Sequence, residues 1–235
     1  HMARLIFDIE TVGENFDELD EATQHSLTRW IKREAMDENE YKSQLDDVKN
    51  GLGFSPLTGQ IVALGVYDLD RQQGVVYFQA PDKRLKEFVE DSITYKPMDE
   101  AEMLRSFWEG CLKYDEFVTF NGRAFDVPFL MVRSAVHGIK PTQDLMSNRY
   151  LNKQMRIKHI DLLDQLSFYG AVRRKGSLHL WCRAFGIDSP KESVCGDDVA
   201  PLFKKGRYED IARYNAKDLF ATAALYERWL AYLAE

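Results

Sequence analysis

An acidic pair inside an apolar stretch near the N-terminus constrains this sequence most strongly. The stretch is Leu5-Ile6-Phe7-Asp8-Ile9-Glu10-Thr11. Because successive side chains of a strand point to opposite faces, Asp8 and Glu10 would share one face, and Leu5, Phe7 and Ile9 would line the other. Neighbouring carboxylates that lose hydration repel each other unless cations hold them, and carboxylate oxygens suit Mg²⁺ or Mn²⁺. The pair therefore predicts either a metal site on a central buried strand or two solvated acids at a strand end.

Length and composition indicate one soluble globular domain, expected over residues 3–235. The 235 residues are 45% hydrophobic and 29% charged, which is an ordinary composition for such a protein. His1 and Met2 resemble a remnant of cloning. No signal peptide is visible, and no apolar run is long enough to span a membrane, so no membrane partner is expected. Cys111, Cys182 and Cys195 are scattered without metal-ligand spacing, which is typical of a reducing cytoplasm.

The negative charge of the chain is concentrated in one segment. Residues 14–50 contain eleven acidic and five basic side chains, a net charge of −6 out of the formal −7 of the whole chain. The remainder is nearly neutral, so net charge does not exclude a nucleic-acid substrate. Apolar residues recur in this segment at roughly helical spacing, which predicts one or two surface helices in an insertion at about residues 14–55. The insertion is either a solvated excursion without a catalytic role or a surface for a protein partner.

Apolar periodicity over the rest of the chain predicts alternating strands and helices. After the first strand, further strands are predicted at residues 60–67, 74–79, 116–120 and 157–162. Helices are predicted at residues 97–114, 127–137, 177–185 and, as one or two helices, 208–233. The first three strands should form an antiparallel meander. This order predicts an α/β architecture, a mixed sheet with helices on both faces.

Two later acidic motifs indicate a function only when they are combined with the first. Phe120-Asn121-Gly122-Arg123-Ala124-Phe125-Asp126 runs from a strand end into a helix, a junction at which open α/β sheets bind ligands. Alone, Asp126 is better explained as a helix cap. Tyr214-Asn215-Ala216-Lys217-Asp218 lies in the C-terminal helix, and its spacing places Tyr214 and Asp218 on one face. Alone, this is a common amphipathic pattern.

Together the three motifs resemble the DEDD superfamily of 3′–5′ exonucleases, in the subgroup with tyrosine in the third motif (DEDDy). That family has Asp-x-Glu on the first strand, Asn-x-x-x-Phe-Asp before a helix and Tyr-x-x-x-Asp on the last helix. The matching positions here are Asp8, Glu10, Asn121, Phe125, Asp126, Tyr214 and Asp218. The resemblance spans nearly the whole chain and is greatest to exonuclease domains related to proofreading family B DNA polymerases. It implies a ribonuclease H-like fold, a mixed five-stranded sheet with helices on both faces.

The resemblance also implies a two-metal-ion mechanism. Asp8 would bridge two divalent cations, Mg²⁺ or Mn²⁺, with Glu10 and Asp218 completing one site and Asp126 serving the other. Two such ions, about 4 Å apart, can clamp the attacking and leaving oxygens of a phosphodiester. Tyr214 would orient the nucleophilic water, because a phenol that titrates near pH 10 is a poor general base at neutral pH.

The implied activity is hydrolysis at the 3′ end of single-stranded DNA with release of nucleoside 5′-monophosphates. Two alternatives stay open: an exonuclease acting on RNA or short oligonucleotides, and a non-catalytic module on the same fold that binds nucleic acid or protein. Thr11, Asn121 and Phe125 are the candidate substrate-binding residues. Core packing explains Phe125 better, and Asn121 could instead hold the loop of its motif.

Basic residues flank the predicted strand at residues 157–162. They form two stretches, Arg149, Lys153, Arg156 and Lys158 in the first and Arg173-Arg174-Lys175 in the second. Such runs are either solvated faces or a path for a phosphate backbone. On the strand itself, His159 and Asp161 are better explained as a satisfied polar pair than as metal ligands.

Overall fold

The computed structural model describes residues 3–188 and 198–234, and its centre is the strand that carries the acidic pair. Among these residues, seven strands form one mixed sheet in the order β4-β5-β3-β2-β1-β6-β7. The strands are β1 (Arg4–Gly13), β2 (Gly59–Asp68), β3 (Gln73–Phe78), β4 (Phe88–Glu90), β5 (Ile93–Pro97), β6 (Glu116–Thr119) and β7 (Lys158–Asp161).

Helices cover both faces of this sheet. In the described residues they are α1 (Glu21–Thr28), α2 (Ile31–Glu34), α3 (Glu38–Gly51), α4 (Glu100–Cys111), α5 (Asp126–Val136), α6 (Leu162–Leu166), α7 (Leu178–Phe185), α8 (Val199–Lys204) and α9 (Tyr208–Tyr232). None of the described helices is both long and apolar enough to cross a membrane.

Two separate cores show which way each side chain of β1 points. Leu5, Phe7 and Ile9 pack with residues of α4 and α5 in one core. Ile6 and Val12 belong to the other core, which α9 dominates. The alternation expected from the sequence is therefore confirmed, and it turns the intervening acidic side chains toward α9. Burial on both faces explains why β1 is so apolar.

The α/β fold class and the ribonuclease H-like architecture are confirmed. Strands β1, β2 and β3 form the expected antiparallel meander, and β6 and β7 extend the sheet in parallel to β1. Carboxyl ends of parallel strands meet at one edge, so the segments after β6 and β7 lie beside the acidic end of β1.

The sheet has two more strands than the five predicted. Strand β4 is only three residues long, and β5 ends at Pro97, so neither carries a strong alternating pattern. Because Pro97 belongs to β5, the helix predicted at residues 97–114 begins later, at Glu100. Its start is fixed by a capping box between Asp99 and Glu102.

The acidic segment forms three short helices, where one or two were predicted. Asp20 and Asp37 cap α1 and α3 by accepting backbone N–H groups of the first turn, which divides the segment. The segment ends in a 3-10 turn, Leu52–Phe54, which lies against β1. That residues 14–55 are an insertion into a single domain stays a prediction.

Two of the three cysteine positions can be described. Cys111 and Cys182 are buried free thiols, and burial raises the pKa of both. Cys195 lies outside the described residues. A reducing cytoplasm stays a prediction from the cysteine pattern.

Candidate active site

Three carboxylates converge where β1 meets α9. Asp8 and Glu10 come from one face of β1, and Asp218 comes from the facing side of α9. One carboxylate oxygen from each residue lies within 4.8 Å of the others. Because the first two residues are separated by two positions on a strand, and the third lies on the helix packed over that face, the local geometry follows directly from the two motifs.

Asp126 approaches this group from another direction. It is the first residue of α5, and the preceding Phe125 is the N-cap, so the expectation that Asp126 itself caps the helix is wrong. The Asp126 carboxylate instead accepts the backbone N–H of Ile9 at 3.0 Å. Its charge acts on Asp8 and Glu10, although it is not among the three acids whose ligand oxygens lie closest together.

Burial disfavours ionisation of all four carboxyl groups, and repulsion between carboxylates adds to this at Asp8, Glu10 and Asp126. Burial raises the pKa of Asp8 and Glu10 well above the usual range, and the neighbouring carboxylates add to the effect. Burial also raises the pKa of Asp126 and of Asp218 to about 7. In residues 3–188 and 198–234 no lysine, arginine or histidine forms an ion pair with any of them. Such a donor set suits divalent cations, whose charge would offset the repulsion.

Two neighbours of Asp218 on α9 lie beside the acidic group. Tyr214 is one helical turn before Asp218, and burial together with the nearby carboxylates, Asp218 foremost, raises the pKa of its phenol. The amide Nδ2 of Asn215 donates to Oδ2 of Asp8 at 2.8 Å. Asn215 is fully buried and connects α9 directly to β1. Sequence reasoning assigned it no role, although its place beside Tyr214 on the helix was a usable signal.

The loop before Asp126 is held by Asp161 at the end of β7. Its carboxylate accepts the backbone N–H groups of Asn121 at 2.9 Å and of Arg123 at 3.0 Å. Asn121 adopts a left-handed backbone conformation with φ of 63°, which asparagine tolerates better than most residues. The predicted alternative that Asn121 helps to hold its loop therefore has a structural basis.

His159 and Asp161 are satisfied by other groups and not by each other. The two ring nitrogens of His159 lie 2.9 Å from the Thr119 hydroxyl and 2.9 Å from the Leu145 carbonyl oxygen. Burial lowers the pKa of His159 to about 4. The prediction that both are satisfied polar residues is therefore confirmed, with partners other than each other. Both instead fix the segments around the carboxyl ends of β6 and β7.

The other candidate substrate-binding residues have partners inside the protein. The Thr11 hydroxyl donates to the carbonyl oxygen of Gly53 at 2.7 Å, joining β1 to the 3-10 turn. Phe125 is half-buried, with its ring 5.5 Å from that of Phe129. Core packing is thus present at Phe125, as expected.

Two open grooves have α8 in their walls and are lined by chain neighbours of the acidic residues. The larger, with a volume of about 1130 Å³, is lined by Thr11, by the acidic helical segment and by α8. Its lining includes Phe16, Lys49, Phe54, Phe203 and Lys204. The smaller, about 460 Å³, is lined by Tyr214 and by basic residues, Lys205, Arg207, Arg213 and Lys217. Sequence reasoning identified neither groove, because their walls come from segments far apart in the chain.

Comparison with known families gives one match over most of the chain. Residues 72–234 match a family described as a predicted 3′–5′ exonuclease related to the exonuclease domain of PolB. This range includes Asp126, Tyr214 and Asp218. Asp8 and Glu10 lie before it, so their assignment depends on the geometry of β1 and on its motif.

Individual relatives are DNA polymerases. DNA polymerase 1 of Sulfurisphaera ohwakuensis is 21% identical over 238 residues, covering 93% of this chain and 26% of the relative. A DNA polymerase of Desulfurococcus sp. (strain Tok) is 28% identical over 160 residues, covering 57% of this chain and 20% of the relative. The structure of the family B DNA polymerase from the hyperthermophilic archaeon Pyrobaculum calidifontis aligns with a TM-score of 0.58 and 18% identity, over 98% of this chain and 25% of that one. The chain thus spans about a quarter of the length of these polymerases.

Proposed function

This chain belongs to the family of predicted 3′–5′ exonucleases related to the exonuclease domain of PolB, and on that premise we propose that it hydrolyses single-stranded DNA from the 3′ end and releases nucleoside 5′-monophosphates. The observation that carries the proposal is the convergence of Asp8, Glu10 and Asp218 within 4.8 Å, with Asp126 beside them. A binding module with no catalytic role would gain nothing from such mutually repelling buried acids.

We propose that the four carboxylates hold divalent cations, Mg²⁺ or Mn²⁺. Asp8, Glu10 and Asp218 are the nearest ligands to one another. Asp126, whose carboxylate accepts the backbone N–H of Ile9, would serve as the fourth. When bound, such ions lower the pKa of a coordinated water and stabilise negative charge on the leaving 3′ oxygen. The buried acids supply the ligand charge, and the amide of Asn215 fixes the orientation of Asp8.

Tyr214 would place the attacking water. Its raised pKa keeps the hydroxyl protonated at neutral pH, so it acts as a hydrogen-bonding group and not as a base. It lies one helical turn before Asp218, so its phenol is on the same face of α9 as that carboxylate.

The Tyr214→Phe substitution is expected to lower kcat by about a hundredfold, because misplacing a reacting group by about 1 Å can cost that much. Metal affinity, followed by titration of intrinsic fluorescence with Mn²⁺, should change far less. Tyr208→Phe is the matched control, since this residue also lies on α9 and bonds an acidic side chain, Asp82, away from the carboxylates. A Tyr214→Phe enzyme as fast as the Tyr208→Phe control would exclude the orienting role.

The larger groove is the proposed place for the terminal nucleotides. Its lining includes Thr11, next to Glu10 in the chain, and its volume of about 1130 Å³ exceeds that of a typical small-ligand pocket, about 300–1000 Å³. Thr11 and Asn121 would contact the terminal nucleotide at either side of the acidic group, and Phe125 would support the loop from the core. A protein partner on residues 14–50 stays a separate prediction.

Comparing DNA with RNA decides the substrate class. Single-stranded DNA and RNA of equal sequence are incubated with the protein and Mn²⁺, and released products are separated by chromatography. We expect deoxynucleoside 5′-monophosphates, produced faster than ribonucleotides. Faster release from RNA would replace DNA by RNA in the proposal. Binding of either strand without any product would favour the non-catalytic module.

A further inference from the structure

Exposed aromatic side chains lie in the segments before and after β7. We call Tyr150, Phe168 and Tyr169 the aromatic platform. Phe168 is 58% exposed and Tyr150 is 46% exposed. The rings of Tyr150 and Tyr169 lie with their centroids 4.8 Å apart, so residues from two separate segments form one surface. Phe168 is the chain neighbour of Tyr169. Exposed apolar and aromatic side chains gathered in one region are typical of binding surfaces.

The backbone that carries the platform is strained. Phe168 and Tyr169 both have left-handed conformations, with φ of 50° and 56°. These conformations are costly for bulky residues and persist only where the surroundings enforce them. Here the N–H of Tyr169 bonds the Asp164 carbonyl at 2.7 Å, and the N–H of Val172 returns to Ser167 at 3.0 Å. The fold therefore holds an aromatic ring out in solvent at a position that glycine or asparagine would fill more easily.

A basic side chain lies over each of the two tyrosine rings. Lys153 lies over the Tyr150 ring at 5.4 Å, and Arg149 over the Tyr169 ring at 6.0 Å. The exposed run Arg173-Arg174-Lys175 follows Phe168 closely in the chain, after a tight turn in which the N–H of Val172 bonds the Ser167 carbonyl. Each of the two basic stretches that flank β7 in the sequence thus adjoins a platform residue along the chain.

Only some of these cations are neutralised by acids. Arg149 pairs with Asp164 at 2.5 Å, and Arg156 pairs with Asp115 at 3.3 Å. Lys153 and the run Arg173-Arg174-Lys175 form no ion pair within residues 3–188 and 198–234. Rings with free cations around them match the chemistry of a single strand, which offers base faces and phosphates.

Arg123 connects the platform to the carboxylates. Its guanidinium donates to the carbonyl oxygens of Leu145, Met146 and Ser147, in the segment that leads to Tyr150. Its own backbone N–H is held by Asp161, and Asp126 follows three residues later. The platform therefore has a continuous hydrogen-bonded attachment to the loop of the second acidic motif.

We infer that the aromatic platform and its cations bind single-stranded nucleic acid upstream of the 3′ end being processed. Bases stack on Phe168 and Tyr150, and phosphates contact Lys153 and Arg173-Arg174-Lys175. This inference rests on the proposed function for the position of the 3′ end, while binding at the platform does not require hydrolysis. The platform would let long strands bind better than short ones and would show little preference for sequence.

Phe168→Gly separates stacking from folding. It removes the ring and relieves the left-handed strain, so the thermal midpoint should be unchanged or higher. In EDTA, fluorescence anisotropy with a labelled single-stranded DNA of about 20 nucleotides should show a Kd about tenfold higher. Tyr232→Ala is the matched control, because Tyr232 is an aromatic residue 72% exposed at the end of α9. An unchanged Kd for Phe168→Gly would overturn the inference.

The salt dependence of DNA binding tests whether the basic run contacts phosphates. Replacing Arg173, Arg174 and Lys175 together by glutamine should reduce the slope of log Kd against log salt by about 0.7 for each phosphate that these side chains neutralise. The control is a variant in which Lys32 and Arg33, both exposed on α2, are replaced by glutamine. A weaker Kd with an unchanged slope would exclude phosphate binding by this run.

Substrate length distinguishes the platform from the catalytic proposal. With Mn²⁺, Phe168→Gly should lower kcat/KM about tenfold on the strand of about 20 nucleotides and leave a trinucleotide unaffected. An equal loss on both lengths would contradict an upstream site. If the wild-type protein cleaves neither strand, and Phe168→Gly still weakens binding in EDTA, then the platform binds nucleic acid and the proposed exonuclease activity is refuted.

Discussion

Asp8→Ala is expected to lower the rate of 3′-end cleavage by at least about a thousandfold while leaving the fold intact. The substitution removes the carboxylate at the centre of the group, which Glu10, Asp126 and Asp218 all influence. Metal ions contribute several kcal/mol of transition-state stabilisation, and about 4 kcal/mol corresponds to a thousandfold in rate. The measurement is the initial rate of cleavage at saturating Mn²⁺. Asp46→Ala, an exposed acid on α3, is the control and should cleave at the wild-type rate.

Asp218→Ala is expected to abolish cleavage similarly and, without metal, to raise the thermal midpoint. The folded-state pKa of Asp218, about 7, lies above its ordinary value near 4. Between these two values the folded state holds a proton that the unfolded state has lost, so this group lowers stability as pH rises. The increase in thermal midpoint of Asp218→Ala over wild type should therefore be small at pH 4 and reach its full size above pH 7. Full activity in either variant, or a folding defect that explains the loss, would contradict the assignment.

Gly65→Ala is expected to destabilise the protein by about 3 kcal/mol, lowering the thermal midpoint by about 8 °C. Gly65 lies on β2 directly beneath α9. A Cβ atom there would stand 2.1 Å from Oδ1 of Asn215 and 2.7 Å from Cδ1 of Leu219. Both distances are shorter than packed atoms tolerate, so α9 would have to shift away from the sheet. Since Asn215 bonds Asp8 and the same helix carries Asp218, cleavage should fall as well.

Gly110→Ala is the matched control for this effect. Gly110 lies inside α4, and no atom stands within 4 Å of the position that its Cβ would take. Alanine is there expected to stabilise the helix by about 0.5–1 kcal/mol. Thermal unfolding of both variants should therefore give shifts of opposite sign. A Gly65→Ala protein as stable as wild type would show that β2 and α9 are not packed as closely as described.

The sequence was sufficient to predict which acidic residues come together on β1 and α9, because they lie in regular elements. Strand periodicity placed Asp8 and Glu10 on one face, and helical periodicity placed Tyr214 and Asp218 on one face of α9. The resemblance to the DEDD exonucleases then specified that the two faces meet. The α/β fold followed from long apolar strands whose patterns are strong.

The remaining features depend on contacts between distant segments, which a single sequence does not encode locally. The bond from Asn215 to Asp8, the role of Asp161 in holding the Asn121 loop, and the stacking of Tyr150 on Tyr169 each join separate segments. The short strands β4 and β5 form because β3 offers a free edge, and their own patterns are weak. The helix cap that the motif of Asp126 suggests when taken alone does not form, because this carboxylate accepts a backbone N–H of β1.

The most direct test of the central claim is the cleavage pattern of a 5′-labelled single-stranded DNA on a denaturing gel. The protein is incubated with the strand in Mg²⁺, in Mn²⁺ and in EDTA, with Asp8→Ala alongside. We predict a ladder that shortens progressively from the 3′ end with metal and is absent in EDTA and in the variant. An intact band under every metal condition, with labelled RNA equally untouched, would contradict the account, as would a ladder that the Asp8→Ala protein produces at the wild-type rate.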